Sequence, residues 1–472
     1  MARTGFLADT PCRIWAIWVN CAGMDRPAAP RNLICVFFAA VLAWLPAAVA
    51  LPRNPAAAGD VGARFSAAAR RAGLRLLEGR HLLLASDRPV RAGDGVEELP
   101  AVFDQAFATW CRHFGIDPAA HADWKAVGCL MVDREQFRLA GLLPDDDQIP
   151  DFKNGFCEAG RFWLMDQSNP TYRRHLLLHE GVHAFTLTLR SSTAPSWYTE
   201  GIAEYLATHR VVPLDEGPPR FIQTPIPAAA PDVEQLGRIE VIRRGRATAR
   251  APALDDVFQT PPSAHQSLDA YAASWAAVAL LAGHPAHAPA FATAEQAPLD
   301  DRFTARLRRT AGWDDTLASR NFDAFTDELD YGYDFSRSSI DWSQGSPLVA
   351  PARIDVDATR GWQNSGWSLA KEGRHRLVAS GRVTVGAIAD TTLESEPEGI
   401  SLRWYRGRPV GRLLAAQWVE RPADGGRPRF VVVGEGSQSE FTALTDGPLY
   451  LKINDAPGDL ADNAGRLGVQ VE

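Results

Sequence analysis

The chain has 472 residues and a formal net charge of −8, and no long cluster of Lys and Arg stands out, which argues against nucleic acid as a partner. Apolar residues make up 46% and charged residues 22%, a composition typical of globular proteins with ample material for a core. The length exceeds one ordinary domain, so two domains plus appendages are expected.

A leader occupies residues 1–50. From Met24 a short basic stretch is followed by an apolar run over 32–45 and by Ala48-Val-Ala50, a small-residue cleavage signature. This order predicts a secretory signal peptide with Met24 as the true start. The alternative is a retained N-terminal anchor, but Pro46 interrupts the apolar run. We therefore expect a secreted or periplasmic protein with no membrane span after signal removal.

Cys111, Cys129 and Cys157 remain after the leader. Export permits one disulfide among them and leaves one thiol over, and the sequence does not choose the pair. None of the three has the C-x-x-C spacing of a zinc ribbon.

The first folded domain is expected over residues 80–340, after a mobile lead-in over 51–79. Its periodicity predicts strands over 81–86, 127–133 and 160–166 and helices over 97–114 and 134–142. The strand over 160–166 comes just before the most informative helix. We interpret it as an edge that binds an extended peptide by strand addition.

That helix, predicted over 171–189 with Thr171 as N-cap, contains H-E-x-x-H. His179 and His183 are four residues apart, so they lie on one face of a helix and can converge on one zinc ion. Glu180 is then adjacent to the open position of the metal, where a general base is needed. The alternative is an amphipathic helix with two ordinary polar positions.

A second acidic motif follows within twenty residues. Pro195 opens a helix that carries Glu200 and, one turn later, Glu204. Catalytic zinc takes three protein ligands and a water, and His-His-Glu is one known set. Glu200 is therefore the expected third ligand, and Glu204 is expected to accept a hydrogen bond from the outer nitrogen of a ligand histidine.

The two motifs together resemble the gluzincin clan of zinc metallopeptidases, in which H-E-x-x-H is followed by W-x-x-E-G-x-A. Trp197, Glu200, Gly201 and Ala203 match that pattern. Tyr271-Ala-Ala-Ser-Trp275 further resembles a helix of bacterial peptidase MA-like proteins, and the likeness spans roughly residues 80–335. It implies a zincin-like α+β domain, a zinc cofactor and a peptide or protein substrate.

Two further residues near this site have open roles. His175 extends the histidine face by one turn, so a three-histidine site is conceivable; we prefer Glu200 as ligand and His175 as a helix-surface or cleft-lining residue. Tyr271 is equally compatible with donating a hydrogen bond to the oxyanion of the reaction and with being a core aromatic.

The remainder of this domain is expected to be helical after a Pro-rich connection. Helices are predicted over 233–245, around Tyr271, over 302–310 and over 322–329. Arg243, Arg244 and Arg246 form a basic cluster that we interpret as a solvated helix end rather than a site for an acidic substrate group.

From residue 351 to 472 the pattern changes to short alternating runs separated by Gly, Asn and Asp. Strands are expected over 374–380, 382–386, 401–405, 429–434, 449–453 and 467–471. Their spacing predicts an all-β antiparallel sandwich, so the fold class is α+β with a zincin-like domain followed by this sandwich.

An oxygen-rich loop lies between the last two strands. Asp455, Asp459, Asp462 and Asn463 offer four oxygen donors on a loop bent by Pro457-Gly458, which suits a hard cation such as Ca²⁺. The alternative is a plain surface turn rich in Asx residues.

The run Asn454-Asp455-x-Pro-Gly before the final strand resembles the calcium loop of a bacterial galactose-binding lectin family. That resemblance implies calcium ligands at Asp455, Asp459, Asp462 and Asn463 and at the backbone carbonyl of Val385, with glycan as a possible partner. Asp459 and Asp462 replace neutral side chains of the family.

The leading hypothesis is a secreted zinc metallopeptidase with an appended calcium-binding sandwich for surface or glycan targeting. No element that would bind a free N-terminus is apparent, which favours an endopeptidase. The alternative is a catalytically inactive carbohydrate-binding or surface-binding protein on a peptidase scaffold.

Overall fold

A computed structural model describes residues 55–472 except 92, 145–148, 150–151, 159, 234–236 and 350. The predicted signal peptide and its start at Met24 lie outside the described residues. Within those residues the helices are α1 (Pro55–Arg71), α2 (Leu99–Phe114), α3 (Arg134–Leu139), α4 (Pro170–Leu189), α5 (Ser196–Ala207), α6 (Arg238–Ala247), α7 (Leu254–Phe258), α8 (Leu268–Gly283), α9 (Ala288–Gln296), α10 (Phe303–Leu307) and α11 (Asp315–Glu328).

The first domain is built on a mixed five-stranded sheet of order β1-β2-β3-β5-β4. These strands and a separate hairpin are β1 (Arg75–Glu78), β2 (Leu82–Ser86), β3 (Ala126–Met131), β4 (Gly155–Glu158), β5 (Arg161–Met165), β6 (His209–Val212) and β7 (Arg220–Gln223). β2, β3 and β5 run parallel, whereas β4 pairs antiparallel with β5. The prediction that the strand over 160–166 is an edge is wrong, because β4 covers it. β4 is short and only half-buried, so no apolar run announces it.

Both faces of this sheet are covered by helices. Leu82 and Leu84 pack in the main core with α2 and α4, while the alternate residue Ala85 packs on the opposite face. On that opposite face, Phe65 and Ala69 of α1 join the same cluster as Trp163. The prediction of a mobile lead-in over 51–79 is therefore wrong for residues 55–71, because α1 has an apolar side that the sheet buries.

The second half of this domain is a helical layer around α8, whose residues 272–281 are all buried. α6 begins at Arg238, five residues later than predicted. The interpretation of the basic cluster as a solvated helix end holds for the exposed Arg244 but is wrong for Arg246. The buried Arg246 guanidinium lies 3.1 Å from Asp323 and 3.2 Å from Asp327, both on α11.

The C-terminal domain is the predicted sandwich, with two sheets of six strands each within the described residues. Pairing is antiparallel throughout these sheets except between β8 and β10. The strands are β8 (Ser346–Pro347), β9 (Ala352–Asp357), β10 (Gln363–Leu369), β11 (Arg374–Ser380), β12 (Val383–Ile388), β13 (Thr391–Ser395), β14 (Glu398–Tyr405), β15 (Arg408–Val419), β16 (Arg429–Glu435), β17 (Gln438–Thr442), β18 (Gly447–Ile453) and β19 (Asn463–Val471).

Helix α11 joins the sandwich to the first domain, and the described residues from 55 to 472 belong to one compact unit. Ala324 packs in a cluster with Trp362, Phe430 and Tyr450 of the sandwich. At the end of the helix, Glu328 accepts a hydrogen bond of 2.6 Å from the buried ammonium of Lys452. The sandwich is therefore fixed to α11 by apolar and ionic contacts.

The cysteines are unpaired in this fold. Cys111, Cys129 and Cys157 are all free thiols, so the disulfide that export permits is not formed among them. Burial raises the pKa of the Cys111 thiol to about 11 and raises that of Cys129 and Cys157 further. Among the described residues, no helix is long and apolar enough to cross a membrane.

Candidate metal centre and its cleft

Helix α4 carries the histidines and is anchored at its start. The N-cap is Asn169 rather than the predicted Thr171, and its side chain accepts a hydrogen bond of 2.9 Å from the backbone N–H of Tyr172. Pro170 follows, where its missing N–H costs nothing. His175, His179 and His183 are all buried, because the helix passes between the sheet and the helical layer.

Helix α5 brings the acidic residues against the histidines, and Gly201 allows it to do so. A Cβ at Gly201 would lie 2.5 Å from the backbone oxygen of Ser274, so α5 and α8 can approach this closely only with glycine there. The glycine of the E-G-x-A-E run is thus a packing requirement that sets the position of Glu200.

The three predicted ligand atoms converge. His179 Nε2 lies 3.0 Å from His183 Nε2, and Glu200 Oε2 lies 3.3 Å from the first and 3.4 Å from the second. Glu200 Oε2 is buried, but it accepts no hydrogen bond because it is poorly aligned with the two rings. A buried carboxylate oxygen beside two imidazole nitrogens is a group that could hold a metal ion.

The size of this triangle can be compared with zinc coordination. If three ligand atoms about 3.3 Å apart are corners of a regular tetrahedron, an ion at its centre lies about 2.0 Å from each of them. Zn–N and Zn–O distances of about 2.0–2.2 Å match this value. His179, His183 and Glu200 form a group that could hold a metal ion, and the fourth corner is left for water or substrate. The donor set and its spacing therefore fit zinc.

In a second group of possible ligands, His175, His179 and Glu204, the carboxylate is already paired within the protein. Arg238 donates to both carboxylate oxygens of Glu204, at 2.9 and 2.8 Å. The same oxygens lie 3.2 Å from His175 Nε2 and 3.2 Å from His179 Nδ1. Glu204 is thus placed where it can orient the His179 ring. His175 is buried rather than on the helix surface, and it lines the cleft, which was the other expectation for it.

Charge in the site is arranged around these carboxylates. Burial opposes protonation of His179, but Glu200 and Glu204 outweigh it and raise its pKa to about 10. Burial alone would raise the pKa of Glu204, but Arg238 and His175 lower it well below its ordinary value. Glu204 therefore stays ionised. In the metal-free site His179 holds a proton that a metal ion must displace.

Glu180 lies beside β4. A Cβ at Gly155 would overlap Glu180 Oε1 and would lie 3.0 Å from its Cδ, so the strand can pass over the carboxylate only because residue 155 is glycine. Burial raises the pKa of Glu180, opposed by the two ligand histidines. A raised pKa suits a carboxylate that must both take and return a proton near neutral pH.

A cleft of about 670 Å³ leads to His179, Glu180 and Glu204. Tyr271 lines it, with its ring 5.9 Å from that of His179, so it is a cleft residue rather than a core aromatic. The remaining wall is formed by Phe152, Lys153, Asn154, Gly155, Tyr172, His175, Leu176, Arg238, His265, Ser267 and Leu268.

Three contributors to the site were missed from sequence. Gly155 and Arg238 come from separate parts of the chain, with no motif of their own. His265 lies in a short 3₁₀ turn (Pro262–Gln266), where Ser274 Oγ is 3.0 Å from its Nε2 and its buried Nδ1 has no partner. Its ring is 5.3 Å from that of Tyr271. The sequence signal that could have identified His265 is its position as a lone histidine six residues before Tyr271.

The C-terminal loop has a different arrangement. Asp455 is buried, and its two oxygens accept hydrogen bonds from Ala456 N at 2.8 Å and from Asn463 Nδ2 at 3.1 Å. Asn463 Nδ2 also donates to the carbonyl of Ala358 at 3.2 Å, so its amide nitrogen faces the predicted ligand Asp455.

A guanidinium occupies the other side of this loop. Arg403 donates to the carbonyl of Val385 at 3.4 Å and to Asp459 Oδ2 at 3.1 Å, two of the expected calcium ligands. Asp462 Oδ2 and Arg403 Nη1 both lie within about 3 Å of the point where a Cβ at Gly386 would be (2.9 and 3.0 Å). The predicted donors are brought together, but around a cationic side chain.

No family model matches the chain, and no curated protein matches it. Among solved structures, the chain is similar to one titled "EclA N-terminal domain; PllA-like lectin", at 23% identity over 25% of this chain and 92% of that chain, with a TM-score of 0.19. A likeness of this size does not establish a shared activity.

Proposed function

We propose that the protein is a zinc-dependent peptidase, and specifically an endopeptidase, because no element that would bind a free N-terminus is apparent in the sequence. The observation that carries this proposal is the convergence of His179 Nε2, His183 Nε2 and Glu200 Oε2 within 3.4 Å of one another. The predicted leader supports action outside the cytoplasm, in the periplasm or after secretion.

A zinc ion bound by His179, His183 and Glu200 would lower the pKa of its water to about 7 and polarise the substrate carbonyl. Glu180 takes the proton of the attacking water and returns it to the leaving amine. Tyr271 donates its phenolic hydrogen to the oxyanion as charge develops there. Glu204, held by Arg238, fixes the tautomer and orientation of His179.

An extended peptide can reach these groups along β4. Among the described residues the strand pairs with β5 alone, and it begins at Gly155, directly beside Glu180. Its other edge offers backbone donors and acceptors for strand addition, which is how many proteins hold an extended peptide. We therefore propose β4, over residues 155–158, as the peptide-binding edge in place of the strand over 160–166 that the sequence predicted.

The calcium ion and the glycan expected at the C-terminal domain are not part of this proposal. Arg403 already provides the positive charge between Val385 and Asp459. The sandwich is instead a rigid partner of α11.

The test is metal analysis of the protein from residue 51 onward, together with His183→Ala and Glu180→Ala. We expect one zinc per chain in the unmodified protein and in Glu180→Ala, and none in His183→Ala. Casein hydrolysis should occur only in the unmodified protein. An unmodified protein that binds no zinc after reconstitution would refute the proposal, whereas bound zinc without hydrolysis of casein or a peptide library would indicate the inactive scaffold.

A further inference from the structure

In the loop over residues 454–463, hydrogen bonds within the protein already use several of the groups that an added cation would need, although the buried Oδ1 of Asn463 has no partner. Asp455 uses both carboxylate oxygens within the loop, and Asn463 turns its amide nitrogen toward one of them. A calcium ion needs six to eight oxygen ligands at about 2.3–2.6 Å, and an amide nitrogen is not among them. Two of the expected donors are therefore oriented for hydrogen bonding.

The positive charge of the loop comes from a distant strand. Arg403 lies on β14, fifty-six positions before Asp459, and its two terminal nitrogens divide between Val385 O and Asp459 Oδ2. A guanidinium is planar and has a fixed fork of donors, so it can join a carbonyl and a carboxylate that face each other. An ion placed between the same two oxygens would have to displace it.

The outer side of the loop is also occupied. A Cβ at Gly458 would overlap the backbone oxygen of Tyr331 and would lie 2.9 Å from the Cα of Gly332, both in the segment after α11. Gly332 N in turn donates to Pro227 O at 2.7 Å. The loop thus packs against the first domain.

We propose that Arg403 is the built-in cation of this loop, which stays closed and packed against the segment after α11 without calcium. Two of the residues expected to bind calcium, Val385 and Asp459, do not fit it as they are arranged, because Arg403 donates a hydrogen bond to each of them. A sugar bridged by calcium consequently has no place here. The role of the loop is to position the sandwich on the first domain.

The experiment is a calcium titration of the whole protein in chelator-treated buffer with zinc held constant, followed by calorimetry and by the melting temperature. Concentrations up to about 10 mM exceed the dissociation constants of about 10⁻⁴–10⁻³ M that extracellular calcium modules show. We expect no saturable calcium binding at the loop and no calcium-dependent shift in melting temperature. Saturable binding that Asp455→Asn abolishes would overturn the proposal; binding that Asp455→Asn leaves unchanged lies elsewhere and upholds it.

Arg403→Gln provides the second arm, because it keeps hydrogen-bonding capacity but removes the charge. We expect it to lower the melting temperature by several degrees and to gain calcium binding that restores part of this loss. A variant with the melting temperature of the unmodified protein and no response to calcium would contradict the role of Arg403. If Arg403→Gln does not fold, the comparison of the unmodified protein with Asp455→Asn still shows whether the loop binds calcium.

Discussion

The α4–α5 site and the loop over 454–463 both gather acidic oxygens, yet they balance the charge in different ways. At the first, Glu200 Oε2 is buried with two imidazole nitrogens and no hydrogen bond. At the second, Arg403 reaches Asp459 from another strand. The comparison teaches that a pattern of acidic residues predicts a need for positive charge, whereas the tertiary structure decides whether a metal or a side chain supplies it.

The sharpest way to test the first site is Glu180→Gln. The amide is nearly isosteric but cannot take a proton, so we expect kcat for a peptide substrate to fall by about 10³-fold, within the range of general acid–base catalysis. Zinc content should not change, because Glu180 is not among the three converging ligands. Retained activity would assign the proton transfer to another residue.

Gly155→Ala should have the next largest effect. The added methyl group would overlap the Glu180 carboxylate and displace it, and a misplacement of about 1 Å can cost about 10²-fold in rate. The readout is kcat with zinc content measured in parallel. Gly245→Ala is the control, because a Cβ there meets nothing closer than 3.6 Å. Equal activities of the two variants would contradict the placement of β4 over Glu180.

Glu204→Gln tests the support of the metal ligands. Loss of the carboxylate charge removes the anion beside His179 Nδ1 and the ion pair with Arg238, so zinc affinity should fall about 10- to 100-fold. Competition with a zinc chelator measures it. Glu240→Gln, which alters a carboxylate of α6 that pairs with Tyr331, should keep the affinity of the unmodified protein.

Glu328→Gln examines the ionic contact that helps to hold the sandwich. Burial opposes ionisation of Glu328, but Lys452 and Arg406 outweigh it and lower its pKa from 4.5 to about 2. A lowered folded-state pKa stabilises the protein above pH 4.5, and this contribution is lost as the pH falls from 4.5 to about 2.

We therefore expect the unmodified protein to exceed Glu328→Gln in free energy of unfolding at pH 6, with the two converging below pH 4.5. Urea unfolding of the zinc-free proteins across this range measures the difference. A difference that stays constant down to pH 2.5 would show that Glu328 acts through packing rather than charge.

Motif spacing and helix-start signals were enough to predict the helices that carry the candidate metal ligands. His179 and His183 are one turn apart, and so are Glu200 and Glu204; spacings of this kind are fixed by helix geometry alone. The approach of α4 to α5 followed from the resemblance, whereas the close packing of α5 on α8, which Gly201 permits beside Ser274, is not visible in the sequence.

Contacts between distant segments could not be predicted. The strand β4 lacks an apolar run, Arg238 reaches Glu204 across thirty-four positions, and Arg403 reaches Asp459 across fifty-six. Polar pairs of this kind leave no periodic pattern. In the sandwich, β10 reads Gln363-Asn-Ser-Gly-Trp, a polar run that does not predict a strand although it pairs with β18.

The buried thiols have a consequence for how the fold responds to a reducing agent. Since Cys111, Cys129 and Cys157 stand unpaired and their raised pKa values keep them protonated at neutral pH, they are poor nucleophiles for disulfide exchange. The fold of the described residues thus contains no disulfide among these three cysteines, so a reducing agent should not lower its melting temperature.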